Sequence, residues 1–352
     1  MEEFLDVVMA RYYLILSKPT EEWLRMTPEQ LVASGVTSPV QCILKGEVQP
    51  MEKIDRPRYI FMVCLADSLL DMFCCNAQNK LEISQWTTCP SQPGLSLADE
   101  GLREIHSLSY EKNLALRNLI GTDVSGWDHG VQGEILMADA ERRIALYNYE
   151  SDLHKEVLSK LIRVRMWCMS NSVYITSTGR VYSQLIHGIM KSGSPNTSST
   201  NSYCRSVLSV MAGSDPQAVR AMGDDCIEQE TKHMVENYKV LGMPLKPYDR
   251  DPTKLEFCCH QFDITSPELK VVRLKMEKSL FGLLSSKHDS ILYSQFVWEY
   301  RHHPMLNAFK RCYASCGRME ANGPQEDHPP EPPQTCGEDA TSAFNAGETD
   351  YC

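Results

Sequence analysis

The chain has 352 residues, 42% of them hydrophobic, and a formal net charge of −11. That length supports one large core or two to three subdomains, so the chain is no small scaffold held by disulfides. The longest apolar run, Ile60 to Cys75, is broken by Asp67 and Asp71 and falls short of the roughly 20 residues a bilayer span demands, so no transmembrane segment is expected.

In chain order, Met1 to Leu24 and Thr27 to Ser34 are predicted helical, the second with Thr27 as cap and Pro28 in the first turn. Gln41 to Leu44 and Tyr59 to Val63 are predicted strands, and Asp67 to Cys75 opens a buried helix. Leu116 to Thr122 is a short apolar run expected to form a buried strand that delivers Asp123 at its end. Leu153 to Met169 is helical by pattern, and Ser172 to Ile186 alternates as a hairpin turning at Thr178-Gly179. Thr197 to Met211 is a helix, Ala218 to Glu228 a hairpin around Gly223, and Glu230 to Leu241 a further helix. Gln261 to Cys316 is mixed, then largely helical. No internal repeat and no glycine-rich nucleotide loop is found.

Glu2, Glu3 and Asp6 follow Met1 in place of a basic leader, so no secretory signal is expected and the fourteen cysteines read as reduced thiols. The acidic balance is uneven. From Gly317 onward eight carboxylates face the single Arg318, in a segment that holds Pro329, Pro330, Pro332 and Pro333 and few large apolar residues. Such a segment cannot bury enough apolar surface to order itself and reads as a disordered acidic tail. What remains is only mildly acidic, which leaves room for a partner rich in phosphate.

Three short patterns carry chemistry. Met222-Gly223-Asp224-Asp225 sits in an apolar hairpin, where Gly223 permits a tight turn and two adjacent carboxylates stand at the tip. Neighbouring aspartates are tolerable where a divalent ion offsets their repulsion, and oxygen donors suit Mg²⁺. Thr122-Asp123-Val124-Ser125-Gly126-Trp127-Asp128 supplies two aspartates five residues apart. Between the two, Ser192-Gly193-Ser194-Pro195-Asn196-Thr197-Ser198-Ser199-Thr200-Asn201 is a Ser-Gly turn opening a helix dense in hydroxyls. Each pattern alone is common; the three together, in this order, are not.

The combination resembles the RNA-dependent RNA polymerases of positive-strand RNA viruses, above all the sobemovirus, polerovirus and barnavirus group. Asp123 to Asp128 is similar to motif A, Ser192 to Asn201 to motif B, and Gly223-Asp224-Asp225 to motif C. Leu241 to Lys246 stands where motif D is expected, and Glu256-Phe257-Cys258-Cys259-His260 resembles that group's motif E, with Cys259 in place of its usual serine. Upstream, Ser38-Pro39-Val40, Lys45-Gly46-Glu47, Lys53 and Arg56 to Ile60 resemble the basic motif F.

The resemblance implies an α+β right-hand fold. Fingers would occupy 1–115 with motif F, the palm 116–142 with motif A, a fingers insertion 143–191, the palm again 192–262 with motifs B to E, the thumb 263–316 and the acidic tail 317–352. It also implies template-directed joining of ribonucleotides by two divalent ions, Mg²⁺ or Mn²⁺, held by Asp123 and Asp224 with Asp225 in support. Asp128 and Asn201 would read the ribose 2′-hydroxyl, while Ser192, Gly193 and Thr197 help to place nucleotide and template. Arg58, with Lys45, Lys53 and Arg56, would meet the triphosphate. Lys246 is favoured over Arg250 as the proton donor to pyrophosphate, since a guanidinium is a poor general acid. Adjacent Cys258 and Cys259 are unlike the spaced pairs of structural zinc sites, so this element is expected to be structural or to position the primer.

The expected partners are an RNA template and primer or nascent strand, ribonucleoside triphosphates, a genome-linked protein primer and other viral replication proteins. The expected location is the host cytoplasm, at membrane-associated replication complexes reached through those partners. The short stretch ahead of Lys45 implies that part of the fingers lies in a longer product, such as a frameshift fusion. A reverse transcriptase would carry a bulky sugar gate where this chain has Asn201, and a scaffold with a decayed palm would have lost the carboxylates that remain here.

Overall fold

The structure is a computed structural model that describes residues 2–46, 51, 55, 58–116, 118–285 and 290–315. The proposed acidic tail and two of the motif F cations, Lys53 and Arg56, lie outside the described residues.

Helices α1 (Glu2–Leu16), α2 (Thr20–Trp23) and α3 (Pro28–Ala33) open the chain. The single helix expected up to Leu24 is divided because Pro19, which has no amide hydrogen and an extended backbone, stands as the N-cap of α2. Thr27 and Gln30 form a reciprocal capping box on α3. Strands β1 (Val40–Leu44) and β2 (Tyr59–Met62) form an antiparallel pair, and the long helix α4 (Leu65–Ser84) follows.

Helix α5 (Asp99–Leu116) was not anticipated. Its inward stripe, Leu102, Ile105, His106 and Ser109, is half polar, and His106 Nε2 bonds the Asp263 carbonyl at 2.9 Å, a partner 157 residues away. Then come β3 (Leu119–Thr122), α6 (Trp127–Gly130), the likewise unanticipated α7 (Gly133–Leu146), and α8 (Asp152–Ser170). The predicted hairpin is formed by β4 (Val173–Thr176) and β5 (Val181–Ser183) and leads to α9 (Thr197–Met211). Strands β6 (Arg220–Met222) and β7 (Asp225–Gln229) flank Gly223, whose φ of +62° is the left-handed turn conformation that glycine supplies. After α10 (Met234–Val240) come β8 (Lys254–Phe257), β9 (His260–Asp263), β10 (Val271–Arg273) and the helices α11 (Met276–Ser285), α12 (Ser290–Glu299) and α13 (Leu306–Ser315).

Three sheets result, in the orders β2-β1-β4-β5, β3-β7-β6 and β10-β9-β8. The second and third are antiparallel throughout; in the first, only the β1–β4 pair is parallel. Sheets two and three meet where Gly121 lies against β8: a Cβ there would stand 1.7 Å from the Glu256 carbonyl oxygen, so only glycine permits the approach. Their shared core includes Leu102, Leu119, Ile227, Leu255 and Phe262. A second core joins α7, α9 and α10 through Ile135, Leu136, Cys204, Leu208 and Tyr238. The N-terminal helices pack on α4, α7 and α8 through Ile15, Trp23, Cys74, Ala140 and Leu161, and the last three helices share an aromatic cluster of Tyr293, Phe296, Tyr300 and Tyr313.

Ten of the described cysteines are free thiols; Cys259 is disulfide-bonded, a departure from the expectation of thiols throughout. Among the described residues no helix is long and apolar enough to cross a membrane.

Candidate active site

The central sheet brings the acidic residues together. Thr122, the last residue of β3, pairs with Cys226, while Met222 pairs with Asp225 across the Gly223 turn. Asp123 therefore leaves β3 beside the Asp224-Asp225 tip although a hundred residues of chain separate them. A second segment secures it: Val124 bridges Leu245, Ser125 N donates to the Pro244 carbonyl at 2.8 Å, and Lys246 N donates to the Asp123 carbonyl at 2.8 Å. The same contact seats the Lys246 ammonium on Asp123 Oδ2.

Burial, then the neighbouring Asp123 carboxylate, raises the Asp224 pKa. Asp225 is pushed up to about 7 by burial, by Asp224 and by Asp123, against the pull of Lys275 and Lys246. Asp128 is pushed up to about 6 by burial and by Asp224, with His129, Arg58 and Lys45 opposing. Asp224 thus feels repulsion from Asp123, and Asp225 from both of them, while the buried Asp123 Oδ1 has no hydrogen-bond partner. Hard oxygen donors short of positive charge are what a divalent cation requires. Among the described residues, no group of three or more His, Cys, Asp or Glu side chains is placed so that it could hold a metal ion.

Arg58 and Lys45 are neighbours across the β1–β2 hairpin, with Lys45 N donating to the Arg58 carbonyl at 2.8 Å, and both act electrostatically on Asp128. The motif B loop docks on that hairpin: Gly193 N donates to the Phe61 carbonyl at 2.9 Å, and a Cβ on Gly193 would stand 2.4 Å from that oxygen. Ser192 is exposed on the loop. The Thr197 hydroxyl is turned into it, within reach of the carbonyls of Lys191 (3.0 Å), Ser192 (3.2 Å) and Ser194 (2.7 Å). Asn201 is buried, and its Oδ1 accepts from the Trp127 indole at 2.9 Å. Arg250 lies apart, ion-paired to Glu230 at 2.8 Å and stacked on Tyr248.

Several groups behind the site escaped the sequence. Ser202 Oγ accepts from Gly223 N at 2.9 Å and so ties α9 to the acidic turn. Arg205, fully buried, reaches the Asp224 carbonyl, the Tyr238 hydroxyl, Thr122 Oγ1 and Glu228. Further along, Ser199 accepts from Arg143 at 2.8 Å, while Thr200 donates to Asp139 at 2.8 Å. The hydroxyl density of α9 is the one signal that pointed here. In the Cys258-Cys259 turn both residues have positive φ, His260 Nδ1 bonds the Cys258 carbonyl at 2.7 Å, and the exposed Lys275 meets Cys259 Sγ at 3.3 Å.

An antiparallel sheet with one aspartate at a strand end, two at the adjoining hairpin tip and a hydroxyl-rich helix beneath is the palm of a right-hand nucleic-acid polymerase. Residues 119–261 match the viral RNA-directed RNA-polymerase family. The chain is 32% identical over 314 residues to the RNA-directed RNA polymerase of mushroom bacilliform virus, covering 84% of this chain and 72% of that protein. It is 33% identical over 280 residues to a replicase polyprotein of southern cowpea mosaic virus, covering 76% of this chain, and 33% identical over 272 residues to a potato leafroll virus protein, covering 74% of this chain. The chain belongs to the viral RNA-directed RNA polymerase family. It spans only 28% and 24% of the latter two relatives. The fold is also that of a sicinivirus RNA-dependent RNA polymerase (TM-score 0.63, 13% identity, 80% of this chain and 63% of that one) and of an insertion-loop deletion mutant of a human picobirnavirus RNA-dependent RNA polymerase (TM-score 0.60, 15% identity, 77% and 56%).

Proposed function

We propose that this chain is the catalytic part of an RNA-directed RNA polymerase that replicates a viral genome from ribonucleoside triphosphates. The observation that carries the reading is the register of the central sheet, which sets Asp123 against the Asp224-Asp225 tip. Two divalent ions, Mg²⁺ or Mn²⁺, fit the unpartnered Asp123 Oδ1 and the mutually repelling carboxyls, with Asp123 and Asp224 as ligands and Asp225 in support. When bound they would acidify the attacking 3′-hydroxyl and offset charge on the departing pyrophosphate.

The remaining roles fall to the protein's own groups. Arg58 and Lys45, on the hairpin facing Asp128, orient the triphosphate, with Lys53 and Arg56 between them in the sequence. Asp128 and Asn201 hold the ribose, and Ser192, Gly193 and Thr197 shape the loop beneath the template. Lys246, an ammonium already at the reacting end, supplies the proton for pyrophosphate. Taken as a right hand, residues 1–115 and 143–191 are fingers, 116–142 and 192–262 palm, and 263–316 thumb. RNA template, primer or nascent strand, a genome-linked protein primer and other viral replication proteins are the proposed partners, in the host cytoplasm at membrane-associated complexes.

The test is primer extension on an RNA template with Mg²⁺ or Mn²⁺ and labelled ribonucleotides. Asp224→Ala is expected to abolish extension while RNA binding persists; extension at the wild-type rate by that variant would overturn the assignment.

A further inference from the structure

Trp127 and Asn201 are 74 residues apart in the chain and meet in the core beneath the cleft. Trp127 is 3% exposed, packed with Val124, Val131, Cys204 and Leu208, and it is followed on α6 by Asp128, which is half-buried and faces Asp224, Arg58 and Lys45. Its only polar atom, Nε1, donates to Asn201 Oδ1 at 2.9 Å. An amide side chain presents a donor on one edge and an acceptor on the other and can exchange them by a half-turn, whereas an indole N–H can only donate. The Trp127 bond therefore removes one of the two orientations. With its oxygen held against the indole, Asn201 must present its amine on the opposite edge, and that amine meets no protein acceptor among the described residues.

We propose that Trp127 is a positioning residue for sugar selection: its indole N–H locks the Asn201 amide so that a donor, not an acceptor, faces the nucleotide. The inference rests on the polymerase reading above and adds polarity to it. A ribose 2′-hydroxyl both donates and accepts. An ionised Asp128 can only accept its proton, so the group opposite must donate to its oxygen. A freely turning amide would satisfy that demand only part of the time, and a 2′-deoxyribose offers neither partner anything.

Incorporation of a ribonucleotide and of its 2′-deoxy counterpart is compared by kcat/KM on the same primed RNA. Wild-type enzyme is expected to extend and to prefer the ribonucleotide. Trp127→Phe keeps the aromatic packing and removes the N–H; the preference is expected to fall roughly five- to tenfold, the scale of one hydrogen bond, mainly through KM for the ribonucleotide. Asn201→Leu, close in shape and lacking both amide groups, is expected to lose the preference at least as far. The double variant is expected to match the single ones, since both remove the same oriented donor. Equal decline of both substrates in Trp127→Phe, or an unchanged preference in Asn201→Leu, overturns the proposal while the polymerase reading stands. Failure of the wild-type chain to extend at all counts against the polymerase reading itself.

Discussion

Arg205 and Asp224 are joined through the backbone: the guanidinium Nε of Arg205 donates at 3.0 Å to the main-chain carbonyl of Asp224. The carboxylate of Asp224 is thus left to the cleft while its peptide is held from behind. The rest of the guanidinium reaches Glu228 at 3.1 Å, the Tyr238 hydroxyl and Thr122, and Glu228 also accepts from Tyr238 at 2.8 Å and from Ser209. One buried ion pair therefore ties β3, β7, α9 and α10 together at the base of the acidic tip.

Breaking this pair on one side leaves a buried charge without its partner, which is far more costly than never having had the pair. Arg205→Met is expected to destabilise the protein by about 3–5 kcal/mol. The readout is the urea midpoint, and adding Glu228→Gln to the same chain is expected to recover part of the loss. A change under about 1 kcal/mol would show that the network is dispensable.

Lys246 and Arg250 are separated by their partners as well as by their chemistry. Lys246 sits on Asp123, whereas Arg250 is exposed, paired with Glu230 and stacked on Tyr248. Lys246→Met is expected to slow extension by roughly 10²–10⁴-fold, the usual reach of a general acid, and Arg250→Met by no more than a few-fold. Single-turnover extension rates measure both, and the opposite ranking would transfer the proton-donor role to Arg250.

His260 makes stability depend on acid. Burial holds its imidazole down to about 4 from an ordinary 6.5, and the charges of Arg273, Arg301 and His302 push the same way despite the bond to the Cys258 carbonyl. A group whose folded pKa is depressed binds its proton more readily in the unfolded chain. The contribution of neutral His260 is therefore complete above about 6.5 and is lost as the pH falls toward about 4, by roughly 3 kcal/mol across that window. Unfolding midpoints between pH 4 and 7 measure the slope, and His260→Gln is expected to flatten it. An unaltered slope in that variant would assign the acid sensitivity to other groups.

The features legible in the sequence are those set by residues near one another. The Thr27 cap with Pro28 in the first turn of α3, the hairpins at Thr178-Gly179 and Gly223, and the span of α9 follow from local capping, alternation, helical patterning and glycine's freedom at positive φ, all of which act within a few residues. The aspartates at strand ends were visible for the same reason, and their order along the chain carried the resemblance to the polymerase family. Helices α5 and α7 were not visible, and the buried stripe of α5 shows why: it contains His106 and Ser109, which look like surface residues until a partner far along the chain is known.

What only the tertiary structure decided is pairing. That Lys246 rests on Asp123, that Arg205 holds the Asp224 peptide, and that Trp127 fixes the orientation of Asn201 are contacts across 123, 19 and 74 positions. No periodicity encodes such contacts, because periodicity reports which face of an element is buried and not what waits on the other side. Sequence alone determined which chemical groups the site would contain; packing of the sheet against α9 and the Pro244-Lys246 segment determined which atom each group turns toward the cleft.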